Sequence, residues 1–333
     1  FNVLFFLVFP VWLSRETGIL FELAKQFYNP ETGAGYVFIA NLLASIATLL
    51  VMLPSLRFRF SDWDVSLWRE QMVYALPLLF AGLAGMVNET LDRALIRHLV
   101  TDQQDAMNQL GIYGACYKLS ILMTLFIQAF RYAAEPFFFS QFGKDDAKET
   151  YARITKYFCI TCAIVFLGVM LYIDIFKHFI GEPYQVGLGV VPILLLANMC
   201  LGIFFNLSMW YKMTGKTRYG LFFTLFGAVI TVVLNVLFVP SMGYMGAAWA
   251  TLGCYACMMA ASYLIGQRNY PVPYETKRIL SYIGLAIACY FVSDALIDWL
   301  EVTSAVRLLL NTIVFVGYLL LMGKWERPPV LAK

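Results

Sequence analysis

Tyr219-Gly-Leu-Phe-Phe-Thr-Leu-Phe-Gly-Ala-Val-Ile-Thr-Val-Val-Leu-Asn-Val-Leu-Phe-Val239 contains no charged residue over 21 positions. A helix needs about twenty apolar residues to cross the hydrocarbon core of a bilayer. Stretches of this kind recur along the chain, separated by short polar loops. The segments fall at about 34–54, 71–91, 109–138, 155–176, 187–211, 219–239, 245–266, 279–297 and 307–323, after a partial one at 1–13. Composition agrees, with 61% hydrophobic and 14% charged residues and a mean hydropathy of +0.71. Backbone polar groups in lipid must be satisfied inside each segment, so the expected fold is an all-α, polytopic helix bundle of about ten segments. A transmembrane barrel would show alternating segments of about ten residues, which this chain does not have.

No stretch is long enough for a soluble catalytic domain, and a net charge of +3 gives no reason to expect nucleic acid as a partner. The seven cysteines all lie in apolar segments. Cys159/Cys162 and Cys254/Cys257 have C-x-x-C spacing, but His98 and His178 lie at other helix ends, so the cysteines read as packing residues and not as a metal site. No metal or cofactor is expected. The chain starts at Phe1 inside a hydrophobic run, with no initiator Met, and reads as truncated at its N-terminus.

Alternate loops differ in basic residues. One set carries sixteen, Arg57, Arg59, Arg69, Lys144, Lys148, Arg153, Lys156, Lys212, Lys216, Arg218, Arg268, Lys277, Arg278, Lys324, Arg327 and Lys333. The other carries six, Arg15, Lys25, Arg93, Arg97, Lys177 and Arg307. The positive-inside rule then places the C-terminus in the cytoplasm and the Asp92 to Gln109 loop outside. Trp63, Trp68, Trp210, Trp299 and Trp325 fall near segment ends, as an interfacial belt requires. The charged stretch Arg57 to Trp68 and the Pro271/Pro273 break divide the chain into 1–56, 57–267 and 268–333.

Charge at bilayer depth is costly and asks for a reason. Glu89, Arg93 and Arg97 share one face of the third segment, with Asn88 and Asp92 on the adjacent stripe. They read either as an interfacial cluster or as the upper wall of a polar cavity. Lys118 lies about nine residues inside the next segment with no acid at i±3 or i±4; it must find water, a partner on another helix or an anionic ligand. Gln128, Arg131 and Glu135 line one face lower down, where Arg131 either pairs with Glu135 or snorkels to the surface. Asn198, Gly202, Asn206 and Trp210 form one stripe, and Thr224, Gly227, Thr231 and Asn235 another. Each reads as helix–helix glue or as the lining of an aqueous path.

The stretch Asn235-Val-Leu-Phe-Val-Pro240-Ser-Met-Gly243-Tyr-Met-Gly246-Ala247-Ala248 resembles a recurring motif of the multidrug/oligosaccharidyl-lipid/polysaccharide exporter superfamily. Pro240 and Gly243 end one helix in that pattern, and the small residues let the returning helix pack closely. Tyr74 to Leu78 with Pro77, Asp92-Arg93, Gly111 to Lys118, Phe130 to Gln141 and Lys212 to Thr217 resemble bacterial polysaccharide flippases in the same order. The resemblance covers almost the whole chain and implies a MATE-like second lobe. Residues 1–56 would be the last two helices of the N-terminal lobe, 57–267 a six-helix C-terminal lobe, and 268–333 two additional transmembrane helices. It further implies a flippase, not an enzyme, moving a polyprenyl-diphosphate-linked oligosaccharide across the bacterial cytoplasmic (inner) membrane by alternating access. Arg93, Arg97, Lys118 and Arg131 would meet the diphosphate as a descending set of positive charges. Asn88, Asn198, Asn206, Trp210 and Tyr211 would meet the glycan, with membrane lipids around the bundle and H+ or Na+ as coupling cation. The alternatives are a multidrug/cation antiporter of the same superfamily and, further off, a membrane-embedded enzyme.

Overall fold

A computed structural model describes residues 5, 8–13, 18–19, 28–29, 32–33, 35–55, 64–100, 102–300 and 303–326, apart from the side chains of residues 12, 13, 87, 88 and 298. Among the described residues the chain is helical and has no strand. Among the described residues nine helical spans are long and apolar enough to cross a membrane, and the chain is a multi-pass membrane protein. Their helices are α1 (Gly35–Met52), α2 (Val65–Leu99), α3 (Gln103–Gln141), α4 (Ala147–Leu171), α5 (Val191–Leu207, within the span Glu182–Met213), α6 (Arg218–Met242), α7 (Tyr244–Asn269), α8 (Thr276–Leu300) and α9 (Ser304–Trp325). The nine complete segments expected from the sequence correspond to these nine. The partial first segment is described only as the short turn Phe9–Leu13 and its neighbours. Arg15, Lys25, Arg57, Arg59, Trp63, Arg327 and Lys333 lie outside the described residues.

The chain divides after Trp68 into two compact units. In the first, Phe5, Phe9, Tyr36 and Ala40 are buried against Tyr28. The Tyr36 ring stacks on both Phe5 and Tyr28, at centroid distances of 4.7 and 4.8 Å. The rest of α1 is exposed and apolar.

In the second unit the buried core lies where α3, α4, α5 and α7 meet. Tyr113, Met123, Ile127, Phe158, Phe166, Leu167, Leu194 and Leu195 fill it. Association inside lipid lacks a hydrophobic drive between helices and relies on close packing, for which small residues are suited. The α6–α7 hairpin shows the device. Gly243 adopts φ +56° at the turn, a conformation in which a side chain is strained. Gly246 follows, where a Cβ would meet the Phe238 carbonyl oxygen at 2.5 Å. Ala247, Ala248 and Ala250 continue the contact, each fully buried. Gln109 of α3 caps the turn, its Oε1 accepting from the Tyr244 amide at 3.0 Å.

Three boundaries differ from the sequence reading. Pro240 does not end α6, which continues to Met242. Proline removes only the hydrogen bond its own nitrogen would make, and near a C-terminus little helix is left to disturb. The polar run from Asp92 to Arg97 is not an external loop: α2 carries it as helix to Leu99, and the connection to α3 spans residues 100–102. The i, i+4 spacing of Glu89, Arg93 and Arg97, with no glycine or proline among them, lets the helix run past its apolar part. Segment 187–211 is composite. A 3-10 stretch, Glu182–Val190, leads into α5, which is interrupted at Ser208 before the short helix Met209–Met213.

The last two helices are fastened to α4 near both ends. Asn311 donates to the Leu171 carbonyl at 2.7 Å and accepts from Ser293 at 2.8 Å. Arg307 lies 3.1 Å from Asp174 and 3.3 Å from Asp294. At the other end Lys156 Nζ lies 2.9 Å from both Glu275 and Glu326. Tyr282 donates to Glu326, and Arg278 pairs with Glu275 at 2.7 Å. The sequence counts Lys156 among exposed cytoplasmic bases; the structure makes it a buried ion-pair centre.

Candidate functional site: a carboxylate and three bases on α2 and α3

Helix α3 has 39 residues, about 58 Å at 1.5 Å per residue, and outruns the ~30 Å hydrocarbon core at both ends. Lys118 lies about 22 Å from its start and so within the apolar depth. It is exposed on this unit, on a face it shares with Leu122, Leu125 and Tyr132. Its ammonium takes part in none of the ion pairs or hydrogen bonds among the described residues. One position before it, the ring of Tyr117 carries the Arg93 guanidinium, 4.5 Å from its centroid. Such a cation–π contact holds Arg93 without neutralising it. Arg97, one turn further along α2, is exposed. Arg93 is therefore the base seated on α3, at the residue before Lys118, and Arg97 follows it along α2.

Beside them Asp92 is 3% exposed. Its Oδ2 accepts from the Tyr113 hydroxyl at 2.5 Å, and its Oδ1 accepts from the Arg93 backbone amide at 2.9 Å. Thr251 of α7 lies 3.4 Å from Oδ2, but its hydroxyl has a nearer acceptor, the Ala247 carbonyl at 2.9 Å. A hydroxyl has one proton, so Tyr113 is the main side-chain partner of Asp92. Tyr117 and Tyr255 lie within electrostatic reach of both Asp92 and Glu89. Asp92 is thus a buried carboxyl group whose side-chain partner is a hydroxyl on another helix. The sequence puts Asp92 on the stripe beside Glu89 and Arg93 and names Tyr113 within a motif. Their contact, 21 positions apart, depends on how α2 meets α3, and no local pattern encodes that.

The other residues singled out from the sequence are not gathered with these. Arg131 lies 13 positions after Lys118, which turns it about 140° around the helix axis. It stacks over Phe205 at 4.9 Å and lies 4.0 Å from Glu135, which Lys212 also approaches, at 2.6 Å. Lys118 and Arg131 therefore lie on different faces of α3. Asn198 is buried and donates to the Ser120 carbonyl at 3.3 Å, joining α5 to α3. Asn206, Trp210 and Tyr211 are all less than 8% exposed. Trp210 packs against Tyr219 and Tyr211 against Phe223. Four residues expected at a glycan-facing surface thus sit inside helix packing in this unit: Asn198 and Asn206 face α3 and α4, and Trp210 and Tyr211 face α6. Trp210 accordingly is not part of an interfacial belt, unlike Trp68, Trp299 and Trp325, which are exposed. The Asn88 side chain lies outside those described.

Outside the membrane segments, Glu275 has its carboxyl held below the usual glutamate range, first by the hydrogen bond from Lys156 and then by that from Arg278. Among the described residues no group of three or more His, Cys, Asp or Glu side chains is placed to hold a metal ion.

No family model matches the chain, and no curated protein matches it. Among solved structures, an outward-facing conformation of a multidrug resistance MATE family transporter of the MOP superfamily is similar, with a TM-score of 0.49 and 14% identity. The likeness covers 75% of this chain and 64% of that one, so the chain spans less than two thirds of the length of that transporter.

Proposed function

We propose that this chain belongs to a flippase that moves a polyprenyl-diphosphate-linked oligosaccharide across a bacterial cytoplasmic membrane. The observation that carries the reading is Lys118, an ammonium at apolar depth on α3 that makes no ion pair among the described residues, adjacent in sequence to the Tyr117 ring that holds Arg93. A diphosphate sheds water to cross a membrane. Lysine offers it a point charge and arginine a planar, bidentate donor. The long prenyl tail stays in lipid, and the glycan travels in the aqueous space between two lobes that rock about it. Residues 1–56 belong to the first lobe on this reading, and 268–333 are accessory helices. The C-terminus is cytoplasmic, as the distribution of basic residues requires. Asp92 is the group proposed to couple transport to H+ or Na+, because its partners are hydroxyls that can turn between donating and accepting.

A second reading, a multidrug/cation antiporter of the same superfamily, is favoured by Asp92 itself, since an acid at membrane depth also suits a cationic drug. One experiment separates the two. The gene carrying this chain is expressed in a strain lacking its own polysaccharide flippase, and surface glycan and drug resistance are both measured. Restored glycan display supports the flippase; drug resistance without glycan display overturns it. Within a restored strain, Lys118→Ala is expected to cut display several-fold at unchanged protein abundance, and Lys118→Arg to be better tolerated. Full display by Lys118→Ala combined with Arg93→Ala would discard the role of these bases.

A further inference from the structure

The end of α5 carries an unusual pair of residues. Asn206 and Trp210 lie either side of Ser208, whose backbone is helical and whose amide donates to the Phe204 carbonyl at 2.8 Å; four positions apart, they are on one face. Asn206 Nδ2 donates to the Gly202 carbonyl at 3.2 Å, but Asn206 Oδ1 and Trp210 Nε1 have no partner. The two residues are 7% and 4% exposed. One atom is an acceptor and the other a donor, so a single molecule able to do both would satisfy the two. Leaving each group orphaned costs about 1–3 kcal/mol, and native structures seldom tolerate that twice at one place.

Both residues line one internal cavity, whose wall also holds the hydroxyl-bearing Tyr151, Thr155, Tyr270 and Tyr274. Asn206 borders a second cavity as well, on the side of Arg131 and Glu135. Each gives the centre of a water-sized body about 10 Å³, close to what one water requires. Tyr151 spends its proton on the Phe138 carbonyl at 3.0 Å and keeps lone pairs for a further donor. Ser208 turns its own hydroxyl back to the Phe205 carbonyl at 2.6 Å and contributes nothing to the cavity.

We propose that Asn206 and Trp210 form a buried hydration site at the end of α5, where a bound water accepts from Trp210 Nε1 and donates to Asn206 Oδ1. The Tyr151 hydroxyl oxygen on the same cavity wall is the third contact proposed for it, as an acceptor. The site is independent of what the protein transports and assigns Asn206 and Trp210 to water and not to sugar.

Radiolytic labelling in H2(18)O tests it on the whole protein in lipid nanodiscs, because a bound water oxidises the side chains it touches even where bulk solvent is excluded. Trp210 and Met209 are expected to take up several times more ¹⁸O than Met123 and Met199, which are buried in the apolar core. Asn206→Leu and Trp210→Phe should each lower uptake at Met209 several-fold and leave Met199 unchanged. If Asn206→Leu fails to fold, Trp210→Phe carries the test alone, since it removes the indole N–H and keeps an aromatic ring. Wild-type uptake at Met209 and Trp210 no higher than at Met123 would overturn the proposal. So would uptake that the folded variants leave unchanged.

Discussion

Replacing Lys156 by methionine removes one charge and leaves two carboxylates facing each other. The Lys156 side chain is 8% exposed, and its ammonium lies 2.9 Å from Glu275 and from Glu326. Breaking a fully buried pair costs about 3–5 kcal/mol. That figure is discounted here, because the Glu275 side chain is 41% exposed and retains Arg278, and exposed pairs are worth little. Glu326 is 13% exposed and keeps only the Tyr282 hydroxyl. An overall loss of roughly 2–3 kcal/mol follows, from the buried arm mainly. The effect should be local, loosening the 270–275 linker and α8 from α4. Cys159 reports it directly, being fully buried one turn from Lys156 and within reach of Tyr274. In a variant that retains Cys159 alone, labelling by a small disulfide reagent should speed up roughly 30- to 150-fold, at 1.4 kcal/mol per tenfold. The triple replacement Lys156→Met, Glu275→Gln, Glu326→Gln should recover most of the protection, since removing all partners is far milder than orphaning two. Labelling of the single variant within threefold of the parent, or no recovery in the triple, would refute the reasoning. The pH dependence has a definite sign. The Glu275 carboxyl is held below its ordinary value of 4.5. Its stabilisation is therefore complete above that value and is lost as pH falls through the lowered one. Acidification below about 4.5 should accelerate labelling by a reagent that tolerates acid.

Three further outcomes are expected. Gly246→Ala places a methyl against the Phe238 carbonyl, a backbone atom that cannot turn aside; it should destabilise the protein by about 1–3 kcal/mol or more in an SDS unfolding titration, while Ala247→Gly should be milder. Asn311→Leu orphans the Leu171 carbonyl and the Ser293 hydroxyl and should cost about 1–3 kcal/mol in the same titration. A cysteine at Asp102, on a background with the native cysteines removed, should react with a membrane-impermeant reagent from outside intact cells. Reaction only after the cytoplasmic side is opened would reverse the topology.

How far the sequence reaches is clearest along α3. The length of each apolar run is legible because a bilayer imposes it, and nine of the expected segments stand as helices. Depth along a helix follows in the same way, which is why Lys118 stands out as a base far from either end. Direction around the helix is legible only where neighbours are known. Lys118 and Arg131 sit on one helix at suitable depths, yet about 140° of rotation separates them, so depth alone suggested a line of charges that rotation breaks up. The stripe Asn198, Asn206, Trp210 shows the same limit. Its period is sound, but whether it meets water or another helix depends on α3, α4 and α6 packing against it. Contacts between distant positions were hidden most deeply. Lys156 meets Glu275 across 119 positions, and nothing near Lys156 in sequence distinguishes it from the other cytoplasmic bases.

On the proposed flippase reading, that hidden contact has a consequence for transport. Alternating access would ask a lobe to move as one body, and helices that share no hydrophobic drive in lipid stay together through polar and steric contacts. The second unit supplies such contacts at both ends of α4, through Lys156 at one and Asn311 with Arg307 at the other. The last two helices are therefore coupled to the same helix whose middle packs on α3 and α5. A rocking motion that displaced α4 would carry α8 and α9 with it, and the bases of α3 would move with the core they are rooted in. Loosening the Lys156 clamp should then leave binding at Lys118 intact while slowing the movement, a separation that single-turnover transport of a fluorescent lipid-linked glycan would read as a lower rate at unchanged half-saturation. Equal losses in both would show that the clamp maintains the binding surface itself.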